Sequence, residues 1–183
     1  MRFTRSTAVA VAALVSALAI PALAQVMVGG APMYSNKDIV DNAVNSKDHT
    51  TLVAAVKAAG LVQTLKGPGP FTVFAPTNAA FAALPDGTVD NLLKPENKPA
   101  LTKVLTYHVV AGKMDSAALA KAIDAGNGKA TLTAVSGGTL TATRSGSTIM
   151  VSDDSGGMAH VTIPDVVQSN GVIHVVDKVL LPK

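Results

Sequence analysis

The chain has 183 residues, with 15 Lys+Arg against 12 Asp+Glu, four His, no Cys and no Trp. Arg2 and Arg5 belong to an apolar leader, and without it 13 basic side chains face 12 acidic ones, so the basic pI says little. The remaining charges stand singly, which excludes the stripe a nucleic-acid surface needs, and without disulfides stability must come from burial.

The leader, MRFTRSTAVAVAALVSALAIPALAQ, runs through Ala, Val, Leu and Ile and closes on Ala22-Leu23-Ala24. That small–x–small ending places cleavage before Gln25 and makes residues 1–24 a signal peptide. The apolar run is too short to span a bilayer and is broken by Pro21, so no stable membrane insertion is expected. The mature protein is then periplasmic or extracellular. Residues 25–34, QVMVGGAPMY, hold two glycines and a proline without periodicity and read as a flexible tail. Residues 35–183 read as a single domain.

Ser35, followed three residues later by Asp38, resembles a capping box for a helix carrying Ile39, Ala43 and Val44. DHTTLVAAVKAAG gives a second helix with Leu52, Val53 and Val56 on one face, ending at Gly60. LVQTLK reads as a turn, and GPGP at 67–70 delivers the chain into a strand over Phe71–Ala75. Pro76 ends that strand, and Thr77 or Asn78 can cap a short helix whose Phe81 and Leu84 turn inward. Two helical pieces follow around Pro95 and Pro99, the second reaching about Tyr107. SAALAKAIDAG is one more helix. Beyond it, short Thr- and Val-rich runs between Gly/Ser turns read as an antiparallel meander, closed by GVIHVVDKVLLP. Helices first and strands later indicate an α+β domain.

Chemistry is sparse. His49, His108, His160 and His174 show no metal-ligand spacing, and no cysteine can help. No serine sits in a G-x-S-x-G elbow, and no Gly-rich phosphate loop occurs. No catalytic residue, metal or cofactor is therefore assigned, and the chain reads as a non-enzyme. His108 and His174, both in the tripeptide HVV, read as buried side chains that each need a hydrogen-bond partner. A hydrolase built on either histidine with a nearby Asp is the less favoured reading.

Three segments carry a resemblance. FTVFAPTNAAFAAL, with Phe74, Pro76, Thr77, Asn78 and Phe81, is similar to the N-terminal signature of the fasciclin-type domain. TYHVVAGKM is similar to its Tyr-His segment. NGVIHVVDKVLLP, with Asn170, Gly171, His174 and Asp177, is similar to its C-terminal signature. The resemblance spans about Ser35 to Lys183 and implies a two-sheet β-wedge with helices packed on it. It also implies an exported adhesion or matrix-contact module, whose partner is a cell-surface, matrix or envelope component. In animal members, an Asp-Ile pair and the Tyr-His segment are associated with integrin binding. The matching positions here are Asp165, Val166, Tyr107 and His108, and for a bacterial protein they imply only a surface contact. The lack of cysteine departs from secreted relatives that carry a disulfide. Some relatives bind carotenoids, so the alternative is an apolar-ligand carrier, with Met27, Met33, Met114, Met150 and Met158 as an adaptable lining.

Overall fold

Helix starts are set by local caps. The first helix, α1 (Ile39–Ala43), begins three residues later than the Ser35 box would place it, because Asp38 is the capping residue and its carboxylate accepts the Asp41 N–H at 2.8 Å. In this computed structural model, which describes residues 25–183, the signal-peptide reading falls outside the described residues. Helix α2 (Thr50–Ala59) stops at Gly60, whose left-handed φ of 73° suits a residue without Cβ. LVQTLK closes a single helical turn, α3 (Val62–Lys66), rather than a plain turn. Helices α4 (Asn78–Ala82), α5 (Thr88–Leu93), α6 (Lys98–Tyr107) and α7 (Ser116–Ala125) follow, with Pro99 in the first turn of α6.

The stretch expected to be a tail is instead a two-stranded ribbon, β1 (Met27–Val28) and β2 (Ala31–Pro32). Val28 and Met33 are buried with the core, so the packed unit starts before Ser35. Two isolated apolar residues around a Gly-Gly turn leave no periodicity, which is why the sequence reads as a tail.

Seven further strands are β3 (Phe71–Pro76), β4 (Val109–Ala111), β5 (Lys129–Thr133), β6 (Thr139–Ser145), β7 (Thr148–Ser152), β8 (Met158–Gln168) and β9 (Gly171–Val176). Their order is β4-β3-β9-β8-β7-β6-β5. The long β8 serves two halves, pairing with β7 through Met158–His160 and with β9 through Val161–Gln168. The sheet therefore bends into a wedge. Its outer strands approach each other where Val110 bridges Ala134 and the Val135 N–H donates to the Val109 carbonyl at 2.7 Å. All pairs are antiparallel except β3–β9. That parallel pair joins segments a hundred residues apart, which no local signal announces.

Alternation distributes the central strands between two cores. Val73, Ala75, Ile173 and Val175 face α1–α6. Phe74 and Val176 face the interior of the wedge, together with Leu119 and Ile123 of α7, Leu140 and Val151. β9 is buried along its whole length, as a strand covered on both faces requires. Each fully buried aliphatic side chain contributes about 1.5–3 kcal/mol, so these two clusters replace the missing disulfides.

Candidate functional site

The signature residues first do structural work. Thr77 caps α4 by accepting the Ala80 N–H at 3.2 Å. Asn78 accepts from the Thr51 N–H (3.0 Å) and donates to the Lys47 carbonyl (2.8 Å), fixing the β3–α4 corner to the start of α2. Asn170 accepts the Ile39 N–H at 3.1 Å and donates to the Leu65 (2.6 Å) and Gly67 (3.1 Å) carbonyls. A Cβ on Gly171 would lie 2.1 Å from the Phe71 carbonyl oxygen, so only glycine lets β9 approach β3 this closely. Phe81 is buried with Ala80 in the helical core, and Pro76 is the buried last residue of β3.

His108 lies at the C-terminal end of α6 and is 2% exposed. Its Nδ1–H donates to the Val104 carbonyl at 2.8 Å, and Nε2 accepts the Leu180 N–H at 2.9 Å. One neutral tautomer satisfies both bonds, which ties the last helical turn to the C-terminal segment. Burial pushes its pKa down to about 4, with the Val104 carbonyl and Asp153 opposing.

His174 stands beside Phe74 across the parallel pair and stacks on it, ring centroids 5.6 Å apart. Nε2–H donates to the Met114 carbonyl at 2.8 Å, while Nδ1 accepts the Asp165 N–H at 3.4 Å. Burial lowers this pKa too, opposed by the Met114 carbonyl and by Asp165 and Asp115. Asp165 follows Pro164 at a register shift in β8 and has φ of 58°. An Asp tolerates that left-handed backbone better than most residues. Its carboxylate accepts the Ser116 N–H at 2.6 Å and the Ser116 hydroxyl. Asp115 caps α7 alongside, through the Ala118 N–H at 2.8 Å.

Of the four positions implied as contacts, three are interior. Tyr107 is 0% exposed and Val166 1%, as His108 is 2%. The Tyr107 hydroxyl donates to the Thr139 carbonyl at 2.7 Å and accepts the Asp154 N–H at 3.0 Å, and burial raises its pKa. Only Asp165 remains half-exposed, and its carboxylate is engaged by Ser116. The Tyr107, His108 and Val166 side chains are thus withdrawn from the native surface.

Neither HVV histidine bonds to a carboxylate or hydroxyl side chain; all four bonds run to the main chain. The half-exposed His160 pairs with Asp177 at 3.1 Å, while the His160 main-chain N–H donates to the same carboxylate at 2.7 Å. Among the described residues no three His, Cys, Asp or Glu groups converge for a metal ion. His49 is buried, its Nδ1 bonded to Ser46 Oγ at 2.9 Å and its Nε2 without a hydrogen bond among the described residues. Burial lowers its pKa, with the nearby Ala75 carbonyl opposing. The five methionines do not converge. Met33 borders a cavity of about 30 Å³, Met114 packs on the wedge core, and Met27 and Met158 are exposed.

One buried polar pair escaped the sequence. Asn42 is 0% exposed, exchanges bonds with the Tyr34 main chain (3.0 and 2.7 Å), and donates to the side-chain oxygen of Gln168. Its only signal is a polar residue within the apolar stripe formed by Ile39 and Ala43.

This geometry of spent signature residues agrees with the comparisons to known proteins. The fasciclin domain model matches residues 47–182, and the chain belongs to the fasciclin domain family. Protein sll1483 of Synechocystis is 47% identical over 156 residues, covering 85% of this chain and 79% of that protein. Immunogenic protein MPB70 of Mycobacterium bovis is 38% identical over 145 residues, 76% of this chain and 66% of the relative. Human periostin is 31% identical over 135 residues, 74% of this chain but only 15% of periostin. The FAS1 domain pair of the insect cell adhesion molecule fasciclin I superposes with a TM-score of 0.70 at 16% identity. That match covers 79% of this chain and 51% of the other and shows the shared fold.

Proposed function

We propose that the mature protein is an exported, non-catalytic contact module that binds a cell-surface, matrix or envelope component through its loops. What carries the reading is the use of the signature side chains. Asn78, His108, Asn170 and His174 fasten main-chain segments from distant parts of the sequence, so the loops between them are held in fixed positions. Such preorganised loops suit recognition, because little ordering cost is added on binding. Support for a non-catalytic role comes from the two core histidines, which have no acid or nucleophile bonded to them. Family membership supports adhesion, since the structurally similar insect protein is a cell adhesion molecule.

Two measurements test this. Mass spectrometry of the native protein should find Gln25 at the mature N-terminus. Purified protein incubated with envelope fractions and matrix polymers from its own cells should be retained saturably. Absence of any retention, with folding intact, would overturn the contact role.

A further inference from the structure

We propose that the cleft between the α3–β3 loop, the β4–α7 loop and the β8–β9 turn binds a saccharide bearing a carboxylate, with Lys113 holding the acid group. The proposal rests on the contact role above and names a partner class for it. The cleft has a volume of about 340 Å³, the scale of a small-molecule site. Pro68, Pro70, Lys113, Ser169 and Gly171 are among its walls. Lys113 is exposed and makes no ion pair among the described residues. No Asp or Glu lines the cleft, so it carries one positive charge without a compensating partner.

The three loops are tied to one another before any ligand arrives. Gly112 N–H donates to the Pro70 carbonyl at 3.0 Å. The Thr72 hydroxyl donates to the Gly112 carbonyl (2.6 Å) and accepts the Met114 N–H (2.8 Å), bracketing Lys113 between two fixed neighbours. Phe71 N–H donates to the Asn170 carbonyl at 3.1 Å, and the Asn170 side chain reaches the Gly67 carbonyl at 3.1 Å. Walls this constrained lose little entropy on binding.

The lining selects the kind of ligand. Strand addition by a peptide would need a free sheet edge, and docking of an amphipathic helix an apolar groove. β3 already lies between β4 and β9, and β9 between β3 and β8, so neither offers an edge. No Val, Leu, Ile, Phe or Met lines the cleft. The exposed Pro68 and Pro70 instead supply small apolar surfaces next to the Ser169 hydroxyl and main-chain groups, a mixed lining that suits the alternating C–H and O–H groups of a sugar ring. The lysine ammonium supplies a point charge for a uronic acid.

Titrating the isotope-labelled protein with tri-galacturonate, and following amide resonances, tests the assignment. Saturable shifts at Lys113, Ser169 and Gly171 are expected, together with about tenfold weaker binding by Lys113→Gln, the scale of one charge-assisted hydrogen bond. Higher ionic strength should also weaken binding. Unmoved resonances at those positions, or equal binding by Lys113→Gln, would overturn the site. Equal shifts with maltotriose would remove the role of the charge, and equal shifts with citrate the role of the sugar; either outcome sinks the proposal. Retention of envelope material by a protein that ignores tri-galacturonate would refute this cleft while leaving the contact role standing.

Discussion

His108 and His174 occupy the same sequence motif yet hold different kinds of structure. His108 joins one regular helix to the C-terminal segment through bonds of 2.8 and 2.9 Å, wholly inside the protein. His174 makes one bond of 2.8 Å and one of 3.4 Å, the longer reaching a half-exposed Asp with positive φ. The first is a fastening within the core. The second runs from core to surface, through Asp165 to the start of α7. Similar local sequence therefore yields a purely structural group in one place and a support for a surface turn in the other.

The largest expected effect separates the two by deletion. His108→Ala leaves the Val104 carbonyl and the Leu180 N–H unpaired beside a new cavity, and should cost about 3–5 kcal/mol in urea unfolding. His174→Ala should cost less, about 2–3 kcal/mol, because its longer bond ends near solvent. Equal losses would break the distinction.

Acid acts next. The unfolded histidine has a pKa near 6.5, whereas folded His108 stays neutral to about 4. Between those values the unfolded chain binds a proton that the folded chain refuses. Stability is thus fully present above about pH 6.5 and falls as pH drops toward 4, by on the order of 3 kcal/mol from His108. His49 and His174, lowered in the same direction, add to the slope. Urea titrations across this range should show the loss, and His108→Gln should flatten the curve.

Beside His108, a Cβ at position 138 would come within 2.5 Å of the Tyr107 ring, so Gly138→Ala should destabilise by about 1–3 kcal/mol. Thermal unfolding measures it directly. At the other node, Asp165→Asn keeps a residue that tolerates positive φ but loses the charged acceptor for Ser116. A cost of about 1 kcal/mol is expected, with faster hydrogen exchange confined to the first turn of α7. Exchange spreading through the sheet would show Asp165 to be as integral as His108.

Much of this was legible in the residues. The α+β class, the second helix ending at Gly60, the Thr77 cap and the buried, main-chain-bonded histidines all follow from short-range patterns. Helix periodicity, turn residues and a polar group among aliphatics each carry their own physical signal. The misplaced cap at Ser35 reflects two overlapping capping patterns, resolved only by which carboxylate reaches an N–H. The 25–34 ribbon, the Asn42–Gln168 pair and the parallel β3–β9 register depend on partners distant in sequence, and local propensity carries no trace of them. The contact positions at Tyr107, His108 and Val166 came from resemblance, which transmits where a motif lies but not whether its side chains face out. The cleft at Lys113 had no motif at all, because three separate loops assemble it.

The placement of β9 has a consequence for synthesis. It is the last strand of the described residues to leave the ribosome, yet it lies between β3 and β8 in the middle of the sheet. Until residues 170–176 emerge, β3 lacks its parallel neighbour, both cores lack a wall, and α1 lacks the Asn170 side chain that accepts its first N–H. The β5–β8 meander can pair before that point, but the two halves of the sheet are joined through β3–β9–β8 only once this strand is in place, so closure of the wedge is a late, long-range event.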